Sequence, residues 1–289
     1  MSSSRLAVLG SPIAHSLSPR LHRAAYSVLG LDWHYEAIDV SENELAAFVA
    51  ERGAEWVGLS LTMPLKHGIR PLLDHRDELS LLTGSTNTVR FSQEGGSRRL
   101  DGFNTDVGGI VRALAEKSIT SARQVAVLGG GATAASAVVA AAQLGAEHVS
   151  VLARTPDKAE PLRRIAAASG TAITLLPLTA ASLDVIDASL VISTLPGDAG
   201  PVSLLRQSPL PARSDLLDVA YHPWPSALGA VWSLADRQVV SGLRMLLHQA
   251  LLQVRVFVHG DPTLPLTDEA AVLSAMESSL DAPADTLAP

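Results

Sequence analysis

Four short segments near the start of the chain carry polar side chains of the kinds that bind and transform a small hydroxylated acid. They supply hydroxyls, a cation, an amide and a carboxylate: Ser16 and Ser18, Thr62 and Lys66, Asn87, and Asp106. Each segment stands where a predicted strand or helix begins or ends, and open α/β sheets bind ligands in the crevice at their strand ends. Together they predict a site for a small polyhydroxylated acid.

Each of these residues also has a simpler explanation when taken alone. Ser18 could be only the N-cap of a helix that has Pro19 at its first position, and Ser16 only a turn residue. Lys66 alone would be a solvated surface lysine, and Asp106 alone a helix cap. The two serines lie beside a helix N-terminus, which suits a carboxylate, and the four segments together favour the binding site.

A second group of residues predicts a dinucleotide site. The turn Gly129-Gly130-Gly131-Ala132-Thr133 follows an apolar run at 124–128 and opens a small-residue stretch at 134–144. A strand, a glycine turn and a helix in this order allow backbone N–H groups to approach a pyrophosphate at the helix N-terminus.

The end of the next predicted strand favours NADP(H). NAD-binding folds usually place an acidic residue about 20 positions beyond the glycines, where it binds the ribose 2′-OH. Ala153, Arg154 and Thr155 occupy that place here, and a guanidinium pairs with a 2′-phosphate through charge-assisted hydrogen bonds. The alternative is that Arg154 merely caps a surface loop.

The composition excludes several classes of protein. A net charge of −7 without any basic run argues against a nucleic-acid partner. The chain has no cysteine and its histidines are scattered rather than at ligand spacing, so no metal is predicted. We expect a soluble, cytoplasmic protein without a membrane partner, because no apolar run reaches transmembrane length and the N-terminus lacks the pattern of a signal peptide.

Apolar runs of strand length alternate with helical stretches, which predicts an α/β protein with mostly parallel sheets. The first series has strands at 5–9, 34–40, 56–62, 87–92 and 98–100, the last two as a hairpin, and helices at 18–29, 41–52 and 106–117. The second series is Rossmann-like, with strands at 124–128, 148–153, 172–176, 189–193 and 215–219 and helices at 133–144 and 156–168.

This order of elements predicts two domains, which 289 residues suffice to build. A substrate domain is expected to comprise residues 1–106 and 240–280, and a dinucleotide-binding domain residues 107–239. A long helix at 243–258 is expected to return to the first domain. Residues 281–289, rich in Ala, Pro and Asp, are predicted to be disordered.

The polar segments and the glycine turn also carry a resemblance that spans nearly the whole chain. The sequence resembles the shikimate dehydrogenase family, and in detail its actinobacterial branch. Besides the glycine turn, the matching motifs are S-L-S-P-R-L-H at 16–22, T-M-P-L-K at 62–66, G-S-T-N-T at 84–88, N-T-D at 104–106, S-T-L-P at 193–196, D-V-A-Y-H-P at 218–223 and G-L-R-M-L-L-H-Q-A at 242–250.

The resemblance implies NADPH-dependent, reversible reduction of 3-dehydroshikimate to shikimate in aromatic amino acid biosynthesis, by a monomer or homodimer. By the family pattern, Ser16 and Ser18 hold the substrate carboxylate with help from Tyr221. The pattern assigns the ring hydroxyls and the reacting oxygen to Thr62, Lys66, Asn87, Asp106 and Gln249. It assigns the cofactor to Gly129, Gly130, Gly131, Ala132, Thr133, Ala153, Arg154, Thr155, Lys158, Thr194, Ala220 and Gly242.

The implied reaction gives Lys66 and Asp106 their expected roles. Hydride delivery to a ketone builds negative charge on its oxygen, which a positioned lysine can stabilise and protonate. We therefore expect Lys66 to be the general acid/base and Asp106 its partner. One alternative is an NAD-using quinate/shikimate dehydrogenase, which Arg154 disfavours. Another is a non-catalytic ligand-binding homologue, which the presence of both catalytic residues disfavours.

The chain departs from the family pattern at a few positions. Ser60 stands where Asn is usual, and its shorter side chain is expected to lose a backbone-positioning contact or to replace it with water. Ala153 also stands where Asn is usual, which removes an amide near the adenosine ribose but keeps the cation of Arg154. Neither departure removes a predicted catalytic group.

Overall fold

The computed structural model describes residues 4–196 and 201–281, and the chain divides into two compact units. One unit comprises Met1–Thr105 with Gln249–Pro289, and the other comprises Asp106–His248. The predicted limits return the chain to the first domain at residue 240, before the long C-terminal helix. In the structure the boundary between the two units lies at His248 and Gln249, inside that helix. No helix within the described ranges is both long and apolar enough to cross a membrane.

The first unit is built on a six-stranded sheet. Its strands are β1 (Ser4–Gly10), β2 (Trp33–Asp39), β3 (Trp56–Leu61), β4 (His75–Arg76), β5 (Thr88–Glu94) and β6 (Ser97–Phe103). The helices between them are α1 (Ser18–Val28), α2 (Leu45–Ala50), α3 (Leu65–Gly68) and α4 (Glu78–Thr83), with a 3-10 turn at Arg70–Leu72.

The strand order of this sheet is β2-β1-β3-β5-β6-β4. β1 pairs in parallel with β2 and β3, so these three strands end at the same edge of the sheet, here called the carboxyl edge. β5 is antiparallel to β3 and β6, and the predicted hairpin is present. Leu6, Leu9 and Leu59 are fully buried, as expected of strands covered on both faces.

The second unit has its own six-stranded sheet. Its strands are β7 (Gln124–Leu128), β8 (His148–Ala153), β9 (Ala172–Pro177), β10 (Leu190–Ser193), β11 (Asp215–Asp218) and β12 (Val239–Ser241). Its helices are α5 (Asp106–Ala115), α6 (Ala132–Gln143), α7 (Leu162–Ala168), α8 (Ala180–Asp184), α9 (Val202–Gln207), α10 (Leu210–Arg213) and α11 (Ala227–Leu234). Helix α12 (Gly242–His259) begins in this unit and ends in the first, to which α13 (Glu269–Asp281) also belongs.

All strands of the second sheet are parallel, in the order β12-β11-β10-β7-β8-β9. From β7 the strands β8 and β9 are added toward one side of the sheet, whereas β10, β11 and β12 are added toward the other side. The strand order therefore reverses between β7 and β10, and Rossmann folds bind dinucleotides at such a switch point. Alanines fill α6, where Ala134, Ala137 and Ala140 are fully buried, so the helix can pack closely against its neighbours. The predicted α/β class with a Rossmann-like series is confirmed.

Several predicted helix boundaries are wrong. The helix predicted at 156–168 is a 3-10 turn at Pro156–Ala159 followed by α7, because Pro161 lies at the N-cap of α7 and cannot continue a helix from the preceding turn. The sequence pattern also missed α13, which buries only Val272 and Met276 and so lacks a clear apolar stripe. Of the predicted disordered tail, Asp281 is the last residue of α13, and residues 282–289 lie outside the described residues.

The other missed elements are short, and none has a long apolar pattern of its own. They are β4, α3, the 3-10 turn at Arg70–Leu72, α4, α8, α9, α10, α11 and β12.

Candidate active site

The carboxyl edge of the first sheet brings two of the predicted polar segments together. Thr62 donates its N–H to the carbonyl of Leu9 at 2.9 Å, and Ser11 donates to the carbonyl of Met63 at 3.1 Å. The loop after β1, which leads to Ser16, therefore starts directly beside the segment that follows β3. This pairing is a consequence of the parallel register of β1 and β3, which ends both strands at one edge.

The serine loop has a different cap from the one predicted. Leu17 takes the N-cap position of α1 and makes no side-chain capping bond, while Ser18 is the first helical residue and is buried. Ser16 Oγ instead accepts a hydrogen bond of 3.3 Å from the N–H of Ser18. The interpretation of Ser18 as an N-cap is therefore wrong, and its hydroxyl is not used to cap α1.

Lys66 lies in the short helix α3, immediately after the Thr62 segment. The neighbouring Leu65 and Ile69 are fully buried and anchor this helix to the core, while Lys66 itself is half-buried. Its carbonyl accepts the N–H of Thr86 at 2.9 Å, which ties α3 to the segment that carries Asn87. Lys66 is thus held next to the third polar segment of the same unit.

Asn87 is almost fully buried and joins three stretches of the chain. Its carbonyl accepts the N–H of Leu61 at 2.8 Å, and its Oδ1 accepts the N–H of Thr105 at 2.9 Å. Its Nδ2 donates to Thr105 Oγ1 at 2.8 Å and to Gln249 Oε1 at 3.3 Å. The fold therefore places Gln249, from α12, beside a residue that is 162 positions earlier in the chain.

Asp106 is the first residue of α5 and is only 3% exposed. The backbone just before it is held by Asp77, a residue that the sequence reasoning missed. Asp77 Oδ1 caps α4 by accepting the N–H of Ser80 at 2.7 Å and also accepts the N–H of Asn104 at 3.2 Å. Burial raises the pKa of Asp77 to about 6, against the opposing effect of these two hydrogen bonds. The sequence indicates this role only weakly: Asp is a preferred N-cap residue, and an N-cap side chain accepts the N–H two or three residues later, here that of Ser80.

In the second unit the glycine turn lies at the switch point between β7 and β10. Gly129 has φ +116°, and a Cβ on it would collide with Thr194 Oγ1. Thr194 follows β10 and donates from Oγ1 to the carbonyl of Leu128 at 2.9 Å. Only glycine fits this close approach of two strand ends.

The start of α6 fits a diphosphate. Gly131 is its N-cap and supplies no side-chain capping bond, so the N–H groups of Ala132 and Thr133 have no side-chain partner among the described residues. A Cβ on Gly131 would meet no atom of residues 4–196 or 201–281 within 4 Å, so this part of the chain leaves the space at Gly131 open. Open space at a helix N-terminus beside a glycine turn is a suitable place for a pyrophosphate.

The predicted adenosine-side residues adjoin the same turn. A Cβ on Gly130 would lie 3.0 Å from Ala159 and 3.5 Å from Ala153, the last residue of β8. Arg154, Thr155 and Lys158 follow and are exposed. Two cations therefore stand on the solvent side of the turn, where a 2′-phosphate could be reached.

Two further residues predicted to bind the cofactor, Ala220 and Gly242, follow the ends of β11 and β12. A Cβ on Gly242 would collide with the carbonyl of Val219, so glycine is required where α12 begins. Asp218 holds the next segment by accepting the N–H of Ala220 at 3.3 Å and the hydroxyl of Ser226 at 2.6 Å. Burial raises the pKa of Asp218 and also that of Tyr221.

The structure thus gathers the predicted residues into two groups. Within the first unit, Ser16, Ser18, Thr62, Lys66, Asn87 and Gln249 lie on connected segments at or near the carboxyl edge. Within the second unit, the glycine turn, Thr194 and the Ala153–Lys158 segment meet at the switch point, while Asp106, Tyr221 and Gly242 occupy other ends of elements. No group of three or more metal-binding side chains occurs among the described residues.

The chain is similar to known proteins over most of its length. Residues 8–89 match the family model described as the shikimate dehydrogenase substrate binding domain. The chain is 31% identical to the NADP(+) shikimate dehydrogenase of Methanothermobacter thermautotrophicus over 274 residues, covering 91% of this chain and 94% of that protein.

Solved structures give the same result. The crystal structure of Mycobacterium tuberculosis shikimate dehydrogenase is 40% identical with a TM-score of 0.81, covering 95% of this chain and 99% of that one. The Thermus thermophilus enzyme, solved in complex with NADP(H) and shikimate, is 30% identical with a TM-score of 0.77, covering 96% and 99%. The chain belongs to the shikimate dehydrogenase family.

Proposed function

We propose that this chain catalyses the reversible, NADP(H)-dependent interconversion of 3-dehydroshikimate and shikimate, a step in aromatic amino acid biosynthesis. One observation carries the proposal: a chain of this family has both a polar carboxyl edge in its first unit and a glycine turn at a helix N-terminus in its second unit. The first unit offers the hydroxyls, amides and cation that a polyhydroxylated acid requires. The second offers a helix N-terminus and cations for an NADP phosphate.

On the substrate side, Ser16 and Ser18 bind the carboxylate, helped by Tyr221. Thr62, Asn87 and Gln249 bind the ring hydroxyls. The proposal is supported by the burial of Asn87 and Gln249, at 1% and 7% exposure, because a buried amide keeps one orientation and therefore discriminates between hydroxyl positions.

On the cofactor side, Gly129 to Thr133 hold the diphosphate, and Arg154, Thr155 and Lys158 hold the adenosine ribose and its 2′-phosphate. Thr194, Ala220 and Gly242 line the path to the nicotinamide. When bound, NADPH supplies the hydride. The fit rests on the open N-terminus of α6 and on the exposed guanidinium just past β8.

Lys66 and Asp106 carry the proton chemistry. As the carbonyl carbon of dehydroshikimate gains a hydride, its oxygen becomes negative and takes a proton from the Lys66 ammonium. In the reverse direction the Lys66 amine takes the proton of the hydroxyl that is oxidised. Asp106 orients the ammonium, and its place at the N-terminus of α5 suits an anion.

A steady-state assay of nicotinamide absorbance tests the proposal. The four combinations of shikimate or quinate with NADP+ or NAD+ are compared, and we expect turnover to be fastest with shikimate and NADP+. A preference for NAD+ with quinate would instead indicate a quinate/shikimate dehydrogenase. No absorbance change in any combination would leave only the non-catalytic homologue. The cytoplasmic location and the choice between monomer and homodimer stay predictions.

A further inference from the structure

Gln253 occupies a fully bonded polar junction beneath Asn87. It lies on α12, one turn after Gln249, and is only 2% exposed. Its Nε2 donates to the carbonyl of Asn87 and to Thr88 Oγ1, both at 3.1 Å. Its Oε1 accepts from Ser60 Oγ at 2.9 Å and from His22 Nε2 at 3.2 Å. Both donors and both acceptor sites of the amide are therefore used.

The backbone carbonyl of Asn87 fixes the orientation of this amide, because a carbonyl can only accept. With Nε2 directed at Asn87, Oε1 must face Ser60 and His22, and each of them must donate. His22 then carries its hydrogen on Nε2, and Nδ1 accepts from the hydroxyl of Tyr26 at 3.0 Å. Burial lowers the pKa of His22 to about 3, so the ring is neutral and can play both roles.

Ser60 completes the junction at the position where the family usually has Asn. Its Oγ accepts the hydroxyl of Tyr35 at 2.7 Å and donates to Gln253. Both hydrogen bonds of the Ser60 hydroxyl are thus made with protein side chains, while the expected loss of a backbone-positioning contact at this position stays a prediction. Tyr35 also stacks on the ring of His22 with centroids 4.0 Å apart, so the junction is rigidly packed.

Two routes lead from Gln253 to Asn87. The first is the direct bond to the Asn87 carbonyl. The second passes through Thr88, whose Oγ1 accepts from Gln253 and donates to Asn87 Oδ1 at 3.0 Å. With Oδ1 held in this way, Nδ2 of Asn87 is directed at Gln249 Oε1. Gln253 thus adds to the bonds from Leu61 and Thr105 that hold the carbonyl and the amide of Asn87.

We infer that Gln253 is a positioning residue for shikimate binding, which holds Asn87 and, through it, Gln249 in one arrangement toward the substrate hydroxyls. The inference rests on the proposed function, in which Asn87 and Gln249 contact the substrate. Because the described bonds all lie within the first unit, the effect is confined to the substrate and leaves the cofactor untouched.

The test replaces Gln253 by methionine, which has a similar shape but no amide. We expect Gln253→Met to raise the KM for shikimate about tenfold, with kcat lowered less than about threefold and the KM for NADP+ unchanged. Thr88→Val removes only the second route and is expected to raise the KM for shikimate about threefold. Gln93→Met, at an exposed position in β5, is the matched control and leaves all three constants unchanged.

A double-mutant cycle with Asn87→Ala separates positioning from a merely structural role. If Gln253 acts through Asn87, Gln253→Met adds nothing to the KM for shikimate once Asn87 is alanine. Effects that multiply would overturn the inference, as would an unchanged KM in Gln253→Met when Asn87→Ala is impaired. If Asn87→Ala itself binds shikimate normally, the proposed substrate contact fails together with the inference. If Gln253→Met does not fold, Thr88→Val takes its place in the cycle.

Discussion

We expect Asp77→Asn to stabilise the chain in a way that depends on pH. Burial raises the pKa of Asp77 from its ordinary value of 3.8 to about 6 in the folded chain. The folded state therefore binds the proton more tightly than the unfolded state does, and stability falls as pH rises from 3.8 through about 6. At 1.36 kcal/mol per pKa unit the full effect is about 3 kcal/mol, and partial exposure reduces it to about 1–3 kcal/mol.

Asparagine keeps the shape of Asp77 and an oxygen that can accept from the N–H groups of Ser80 and Asn104, but it never ionises. The variant should match the wild type near pH 4 and exceed it by about 1–3 kcal/mol above pH 6. The measurement is the free energy of unfolding in urea from pH about 4 to about 8.

Asp74→Asn is the control for this experiment, because Asp74 also accepts a backbone hydrogen bond, from Leu100 at 2.7 Å, but is exposed. We expect no comparable rise in stability for it above pH 6. The reasoning is refuted if Asp77→Asn differs from the wild type by the same amount at every pH.

Three further variants test the proposed chemistry. Lys66→Ala should lower kcat by about 10²- to 10⁴-fold while NADP+ still binds, and near-normal turnover would remove Lys66 from the proton step. Arg154→Ala should raise the KM for NADP+ by about tenfold or more and leave that for NAD+ unchanged, since it removes a charge-assisted bond to the 2′-phosphate; equal changes with both cofactors would contradict this role. Gly129→Ala should lower the melting temperature and weaken NADP+ binding, because φ +116° and the close approach of Thr194 leave no room for a side chain. We expect the substitution to cost about 1–3 kcal/mol of folding free energy. Calorimetry measures the melting temperature, and titration with NADP+ measures the binding.

Long, strongly patterned elements could be predicted from the sequence, and short ones could not. The apolar runs that became β7 and β8 were predicted with their observed limits, because fully buried parallel strands are nearly continuous runs of apolar residues. The helix α13 was missed because its burial depends on packing against α1 rather than on its own pattern. The division of the predicted helix 156–168 at Pro161 and the N-cap of α1 at Leu17 likewise depend on local backbone geometry.

The sequence by itself determined the chemistry that is available: the glycine turn, the cation at Arg154, and the motifs around Lys66, Asn87 and Asp106. Side-chain types and their order along the chain carry that information directly. Only the tertiary structure decided which of these groups share hydrogen bonds. Ser60, Thr88 and Gln253 join around Asn87 although Ser60 and Gln253 are 193 positions apart. Such bonds follow from sheet register and from the path of α12, which arise when the whole core packs and leave no pattern in neighbouring residues.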